Sequence, residues 1–145
     1  MIDNRVKVKI KTLDGADVPV YATEGSSGFD FVASEGVLLN PFAVTMVKTG
    51  VCVSVPPGFE LQVRPRSGLS SKTKIRIANS PGTIDSDYRG EEMIIMENNS
   101  NVVHEVRKGD KIAQGVICPW FRAVWEKVDD LDETGRGDKG FGHSG

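Results

Sequence analysis

The sequence predicts an all-β domain of sandwich, jelly-roll or barrel type. Three observations carry that expectation. Apolar runs of strand length recur at roughly ten-residue spacing, Gly, Pro and Asn punctuate them, and no window sustains helical periodicity. A chain of 145 residues is one domain by size, and folding such a chain buries ~68–70% of the surface the unfolded chain exposes.

Residues 6–11 alternate Val and Ile with Lys, a strand with one wet face. A turn at Asp14-Gly15 leads to Val18-Pro19-Val20-Tyr21, and the flexible loop 24–28 delivers Phe29-Asp30-Phe31-Val32. A short run at 37–39 precedes Asn40-Pro41. Residues 44–55 read as one long strand or two short ones broken near Gly50, and Pro56-Pro57-Gly58 turns the chain into a further alternating run at 59–64. The best candidate for a helix, residues 67–73, has at most one or two turns. Strands are expected at 74–78, with Ile75 and Ile77 inward, and at 93–97, 102–106 and 111–118; Trp120 and Trp125 flank the last ordered strand. From Asp129 the chain turns acidic and then Gly-rich, with Phe141 the only apolar residue after Leu131. A folded domain is therefore expected over 1–131 and a flexible C-terminal arm over 132–145, ordered only when it closes over something.

The chain is organised around residues 82–91, Gly-Thr-Ile-Asp-Ser-Asp-Tyr-Arg-Gly-Glu. Ser80-Pro81-Gly82-Thr83 reads as a type II turn, with φ fixed by Pro81 and Gly82 tolerating φ > 0. The result is a hairpin with bare backbone at its tip and Asp85, Asp87 and Tyr88 on its returning arm. Two readings are open: a receptor for a small polar ring and a water molecule, or an acidic solvated turn.

Composition narrows the field. A net charge of −2 argues against nucleic-acid or anionic-membrane binding, which needs a basic face. No stretch approaches ~20 apolar residues, and Met1-Ile2-Asp3-Asn4 lacks the apolar core of a signal peptide. Cys52 and Cys118 read as buried reduced thiols of a cytoplasmic protein, and with His104 and His143 they make no familiar zinc spacing. His104 reads as a solvent-facing strand residue, Trp120 and Trp125 as core or subunit contacts, and Asp87 as structural, pairing with Arg89.

Three further stretches carry groups suited to phosphate. Residues 64–72 place Arg64, Arg66 and Lys72 with hydroxyls and Gly68 at a strand end, where a guanidinium fork and close backbone N–H groups suit phosphate oxygens; taken alone, this stretch reads first as a basic, Ser-rich surface turn. In 109–114, Gln114 interrupts an apolar run and needs a hydrogen-bond partner, from backbone or ligand. The segment 135–145 combines Arg136, Phe141, a Ser hydroxyl and five glycines, the composition of a clamping lid or of a floppy terminus.

Taken together, these stretches closely resemble the homotrimeric dUTPase family (deoxyuridine triphosphate nucleotidohydrolases). The resemblance runs in order through Tyr21-Ala22 to Gly28-Phe29-Asp30, Pro65-Arg66-Ser67-Gly68-Leu69, Asn79 to Glu91, Gly109 to Gln114, and Arg136-Gly137 to Gly140-Phe141-Gly142. Ser27 and Ser71 stand where Ala is usual, and His143-Ser144 leans the source toward bacteria. A related dCTP deaminase would need an acid–base constellation that the chain lacks. A non-catalytic module is disfavoured by Asp85, Arg136 and Phe141 occurring together.

The resemblance implies a jelly-roll subunit, a homotrimer with shared interface sites, and hydrolysis of dUTP to dUMP and pyrophosphate. That activity removes dUTP from the nucleotide pool and supplies dUMP for thymidylate synthesis. It makes Asp85 the carboxylate that holds and deprotonates the attacking water, and it places Asn79, Gly82, Thr83, Ile84, Tyr88 and Met93 around the nucleoside. Arg66, Ser67, Gly68 and Gln114 become phosphate contacts, Arg136 a clamp on the terminal phosphate, and Phe141 with Gly142, His143 and Ser144 the closing lid. Mg2+ is expected on the triphosphate and its waters, with no direct protein ligand and Asp30 reaching the metal's waters.

Overall fold

A computed structural model describes residues 3–145; Met1 and Ile2, which begin both the stretch read for a leader and the domain expected from residue 1, lie outside the described residues. Eleven elements follow in chain order: β1 (Lys9–Thr12), β2 (Phe29–Val32), β3 (Val37–Leu39), β4 (Val44–Ser54), β5 (Phe59–Arg64), α1 (Ser67–Lys72), β6 (Ile75–Ile77), β7 (Gly82–Ile84), β8 (Glu91–Asn98), β9 (His104–Val106) and β10 (Lys111–Pro119). The strands form two four-stranded antiparallel sheets, β1-β4-β8-β6 and β2-β10-β5-β7, and a two-stranded ribbon β3-β9. This is the expected jelly roll.

Alternation makes the sandwich. On β8 the buried residues are Glu92, Ile94, Met96 and Asn98, and on β5 they are Leu61 and Val63. These inward faces meet Phe31, Leu39, Val47, Ile75, Ile77 and Ile112 in one core. Each such side chain contributes about 1.5–3 kcal/mol by leaving water. Gly50, at φ +70, breaks the register of β4 against β8 between Lys48 and Cys52 without ending the strand. A side chain there would need the left-handed region and would meet Ala16.

Several expectations are corrected. The alternating run at 6–11 enters a ladder only from Lys9, because β4 offers partners only from Ser54 back to Val51. The segments on either side of Pro81 are not arms of one hairpin: β6 pairs with β8 in one sheet, and β7 pairs with β5 in the other. No type II turn forms there. The Ser80–Pro81 peptide is cis, and Gly82 is extended and begins β7. Gly82 is tightly enclosed: a Cβ would sit 3.2 Å from both Asn79 Nδ2 and Val63 Cβ, so a neighbour would have to give by a few tenths of an ångström.

The strand expected between Trp120 and Trp125 is absent, and beyond Pro119 the described residues form no helix or strand. Trp120 is half-buried, its Nε1 donating to the Phe59 carbonyl at 3.0 Å, whereas Trp125 is 91% exposed and lies outside the core. Arg89 donates to the carbonyls of Ser86 and Tyr88, and no Asp87–Arg89 ion pair forms. His104 is half-buried opposite Leu39. Cys52 and Cys118 are free and half-buried, on β4 and β10.

Candidate active site

The crossing from one sheet to the other builds a cleft. Strand β6 pairs with β8 only from Ile75 opposite Asn98 to Ile77 opposite Met96, with one further bond from Ala78 N–H to the Ile95 carbonyl. The chain then leaves for β7, so the first half of β8 loses its neighbour on that side. Strand β7 is itself the edge of its sheet, paired only with β5. Two open strand edges therefore face a cleft of about 230 Å³. Unpaired backbone N–H and C=O groups on such edges are obligatory hydrogen-bonding groups awaiting a partner. The bare backbone expected from the sequence is present, but two sheets supply it in place of a hairpin tip.

Asn79, Gly82, Thr83, Ile84, Asp85, Tyr88 and Met93 all line this cleft. Asp85 follows β7 on a turn closed by Tyr88 N–H donating to the Asp85 carbonyl at 3.1 Å. Tyr88 Oη donates to the Glu91 carbonyl at 3.0 Å, which orients the half-exposed ring across the cleft mouth. Met46, Val63, Glu91, Glu92 and Ile95 complete the lining and were not anticipated. The strand's period of two could have found Glu92, since it shares its parity with Ile94 and Met96.

A second cleft, of about 330 Å³, gathers Arg66, Ser67, Gly68 and Gln114 with Asp30 and Lys111. Asp30 sits between Phe29 and Phe31 on β2. Tyr21, Phe29 and Phe31 stack edge-to-face at 5.6 Å and 5.2 Å, so the intervening carboxylate projects from the opposite face. It accepts from Arg66 Nε at 2.9 Å and lies 3.3 Å from Lys111 Nζ. Gln114 finds its partner in backbone, its Nε2 donating to the Pro65 carbonyl at 2.8 Å. A side chain at Gly28 would displace that amide, because a Cβ there would lie 2.5 Å from Gln114 Oε1. Lys111 went unassigned in the sequence, although a cation opening a strand beside a phosphate-type loop was visible there.

The two clefts share no lining residue. The remaining candidates, Arg136, Phe141, Gly142, His143 and Ser144, line neither of them. They lie in exposed turns in which Arg136 Nε donates to the Lys139 carbonyl at 2.7 Å and the Phe141 ring is fully exposed. Among the described residues no group of three or more His, Cys, Asp or Glu could enclose a metal ion. Asp30, the one carboxylate lining the second cleft, suits contact with the waters of a magnesium ion carried on phosphate oxygens.

Residues 14–145 match the family model described as dUTPase. The deoxyuridine 5'-triphosphate nucleotidohydrolase of Helicobacter pylori (strain Shi470) is 48% identical over 141 residues, 97% of each chain. That of Zymomonas mobilis is 47% identical over 144 residues, covering 97% of this chain and 99% of the relative. Among solved structures, a point mutant of the Staphylococcus bacteriophage 80alpha dUTPase with dUpNHpp aligns at a TM-score of 0.86 and 29% identity, over 96% of this chain and 98% of that one. A phage phi11 dUTPase mutant, described as coordinating a structural Mg(II) ion, aligns at 0.78 and 27% identity, over 87% and 99%. The chain belongs to the dUTPase family.

Proposed function

We propose that the protein hydrolyses dUTP to dUMP and pyrophosphate, and that the cleft between the open edges of β7 and β8, with Asp85 at its rim, carries the reaction. Uracil presents acceptor, donor and acceptor along one edge. Strand-edge backbone and the Asn79 amide can answer that pattern, where cytosine would leave groups unpaired. A site built on such bonds rejects the wrong base by ~10⁴ or more. Tyr88 packs against the deoxyribose and leaves no room for a 2'-hydroxyl.

Asp85 holds a water by hydrogen bond and takes its proton as the oxygen attacks the α-phosphorus. The bond from that phosphorus to the bridging oxygen breaks, and pyrophosphate leaves with the electron pair. Arg66, Ser67, Gly68 and Gln114 bind phosphate oxygens, with Asp30 fixing the Arg66 fork. Magnesium on the triphosphate would offset its charge and hold its oxygens in shape, with Asp30 facing the ion's waters.

The working form is a homotrimer in which one copy supplies the nucleoside cleft and others the phosphate contacts and the arm. The separateness of the two clefts within one chain supports this reading. So do Phe121, Val124, Trp125 and Leu131, each more than 80% exposed on a segment with no cover in its own chain. Residues 1–131 act as the domain and 132–145 as the arm. The protein works in the cytoplasm on a nucleotide, without nucleic acid or membrane; no helix among the described residues is long and apolar enough to cross a bilayer.

The test is pyrophosphate release from dUTP against dCTP, dTTP and UTP, with and without a magnesium chelator, alongside light scattering. Turnover confined to dUTP by a trimer is expected. Equal turnover of dCTP, or a monomer active at micromolar concentration, would overturn the corresponding part.

A further inference from the structure

Glu92 stands out in the nucleoside cleft because nothing in the fold uses its side chain. It is 2% exposed, and Oε1 has no hydrogen-bond partner. Its backbone carbonyl is occupied, accepting from the buried Thr49 hydroxyl. Buried polar atoms are nearly always paired, so an orphan bordering a cleft points to a partner that arrives with a ligand. The residue shares the inward face of β8 with Ile94 and Met96, and it lines the cleft together with Val63, Ile84 and Asp85.

We propose that Glu92 is a substrate-binding residue whose neutral carboxylic acid donates one hydrogen bond from the cleft floor to the nucleoside half of the substrate. The inference rests on the dUTP reading above and adds a contact that the family resemblance did not supply. Geometry sets the protonation state. Burial among apolar side chains pushes the Glu92 carboxyl up to about 7.

Among the described residues no cation offsets it. The titratable groups across the cleft are Asp85 and Tyr88, and its neighbour on β8 is Glu91, whose Oε2 accepts from Gly50 N–H at 3.3 Å. Strand β4 brings Cys52 opposite Glu91 and Lys48 opposite Met93, with the Lys48 ammonium 3.7 Å from Glu35. Strands β5 and β7 offer Val63 and Ile84. Ionisation therefore removes the donor and adds a second negative charge beside Asp85, on the side from which an anionic nucleotide arrives. Substrate affinity should fall as pH rises through about 7, while the chemical step at Asp85 is unaffected.

The experiment measures kcat and KM for dUTP, by pyrophosphate release, in wild type, Glu92→Gln and Glu92→Leu across a pH series spanning that value, with melting curves to verify folding. The wild-type KM should climb above about pH 7, steepening toward tenfold per pH unit. Glu92→Gln keeps a donor but cannot ionise, so it should lose the climb and stay within about threefold of wild type at low pH. Glu92→Leu, with no donor, should show a KM raised about tenfold at every pH with kcat retained. The readout is the difference between wild type and Glu92→Gln, since titration of the nucleotide itself is common to both. Parallel KM profiles for those two proteins overturn the inference and leave dUTP hydrolysis standing. Absence of turnover in wild type overturns the functional reading itself. Should Glu92→Leu fail to fold, the wild-type and Glu92→Gln comparison decides alone.

Discussion

Arg66 Nε donates to Asp30 Oδ1 across 2.9 Å, tying the loop after β5 to the edge strand β2. The carboxylate is only 14% exposed and also draws in Lys111. Without its charge the two cations face one another and the guanidinium fork loses its anchor. Asp30→Asn should therefore raise KM for dUTP by roughly tenfold or more, the worth of one charge-assisted hydrogen bond, with a smaller drop in melting temperature. Paired KM and melting measurements check this. An unchanged KM with lowered stability would assign the pair to the fold alone.

Asp85 stands at the rim of the cleft between β7 and β8 on an exposed turn, with no core role to lose. Asp85→Asn should fold and bind nucleotide as the wild type does, yet lose ~10²–10⁴ in kcat, the usual contribution of a positioned general base. Calorimetric titration with a non-hydrolysable dUTP analogue, beside turnover, separates the two effects. Near-normal turnover in the variant would remove Asp85 from the role.

Much of this was legible in the sequence where a residue's neighbours along the chain decide the outcome. Alternation marked β5 at its observed bounds, and the Ser-Gly-Leu-Ser-Ser-Lys stretch became the single helical turn and a half of α1. What failed depends on partners distant in sequence. Periodicity says that Ile75 and Ile77 face inward, but it is silent on which sheet receives the strand, so β6 and β7 were read as one hairpin. A strand between Trp120 and Trp125 needs a neighbour to pair with, and this chain alone supplies none. Seven of the twelve residues lining the cleft between β7 and β8 were named from the sequence, and they lie within fifteen positions of one another, from Asn79 to Met93; Met46 and Val63 come from strands distant in sequence and were not. Glu92 was passed over because the strand was expected to begin at Met93, whereas β8 begins at Glu91.

The raised Glu92 carboxyl has a stability consequence whose sign is fixed. The unfolded carboxyl releases its proton near 4.5, and the folded one holds it to about 7. Between those values the native state binds more protons than the unfolded chain, so stability falls as pH rises through that window and the loss is complete above it. A shift of that size corresponds to about 3 kcal/mol. Relative to wild type, Glu92→Gln should thus gain stability on going from pH 4.5 to above 7. Denaturant midpoints of the two proteins at both ends of the window check it, and a constant difference would show that the carboxyl titrates normally.

The arm is expected to matter for turnover and not for folding. No residue beyond Leu131 belongs to the core, and ordering glycine-rich backbone costs ~1–2 kcal/mol per residue. Stacking Phe141 on a base returns ~1–3 kcal/mol, and Arg136 on phosphate adds a charged hydrogen bond, so closure waits for the full triphosphate. A chain ending at Asp132 should melt and assemble as the full-length protein does and lose most of its pyrophosphate release. Unchanged turnover would make the arm a plain terminus.

The free edge of β7 bears on solubility as well as recognition. An unpaired strand edge is a template on which another chain can add a strand and start a growing sheet. Here the exposed edge is three residues long and is preceded by Pro81, whose nitrogen carries no hydrogen to donate. Too few groups stand in a row for an intruding strand to register, yet enough for one heterocyclic ring. The brevity that suits the edge to a small molecule also keeps it from seeding intermolecular sheets.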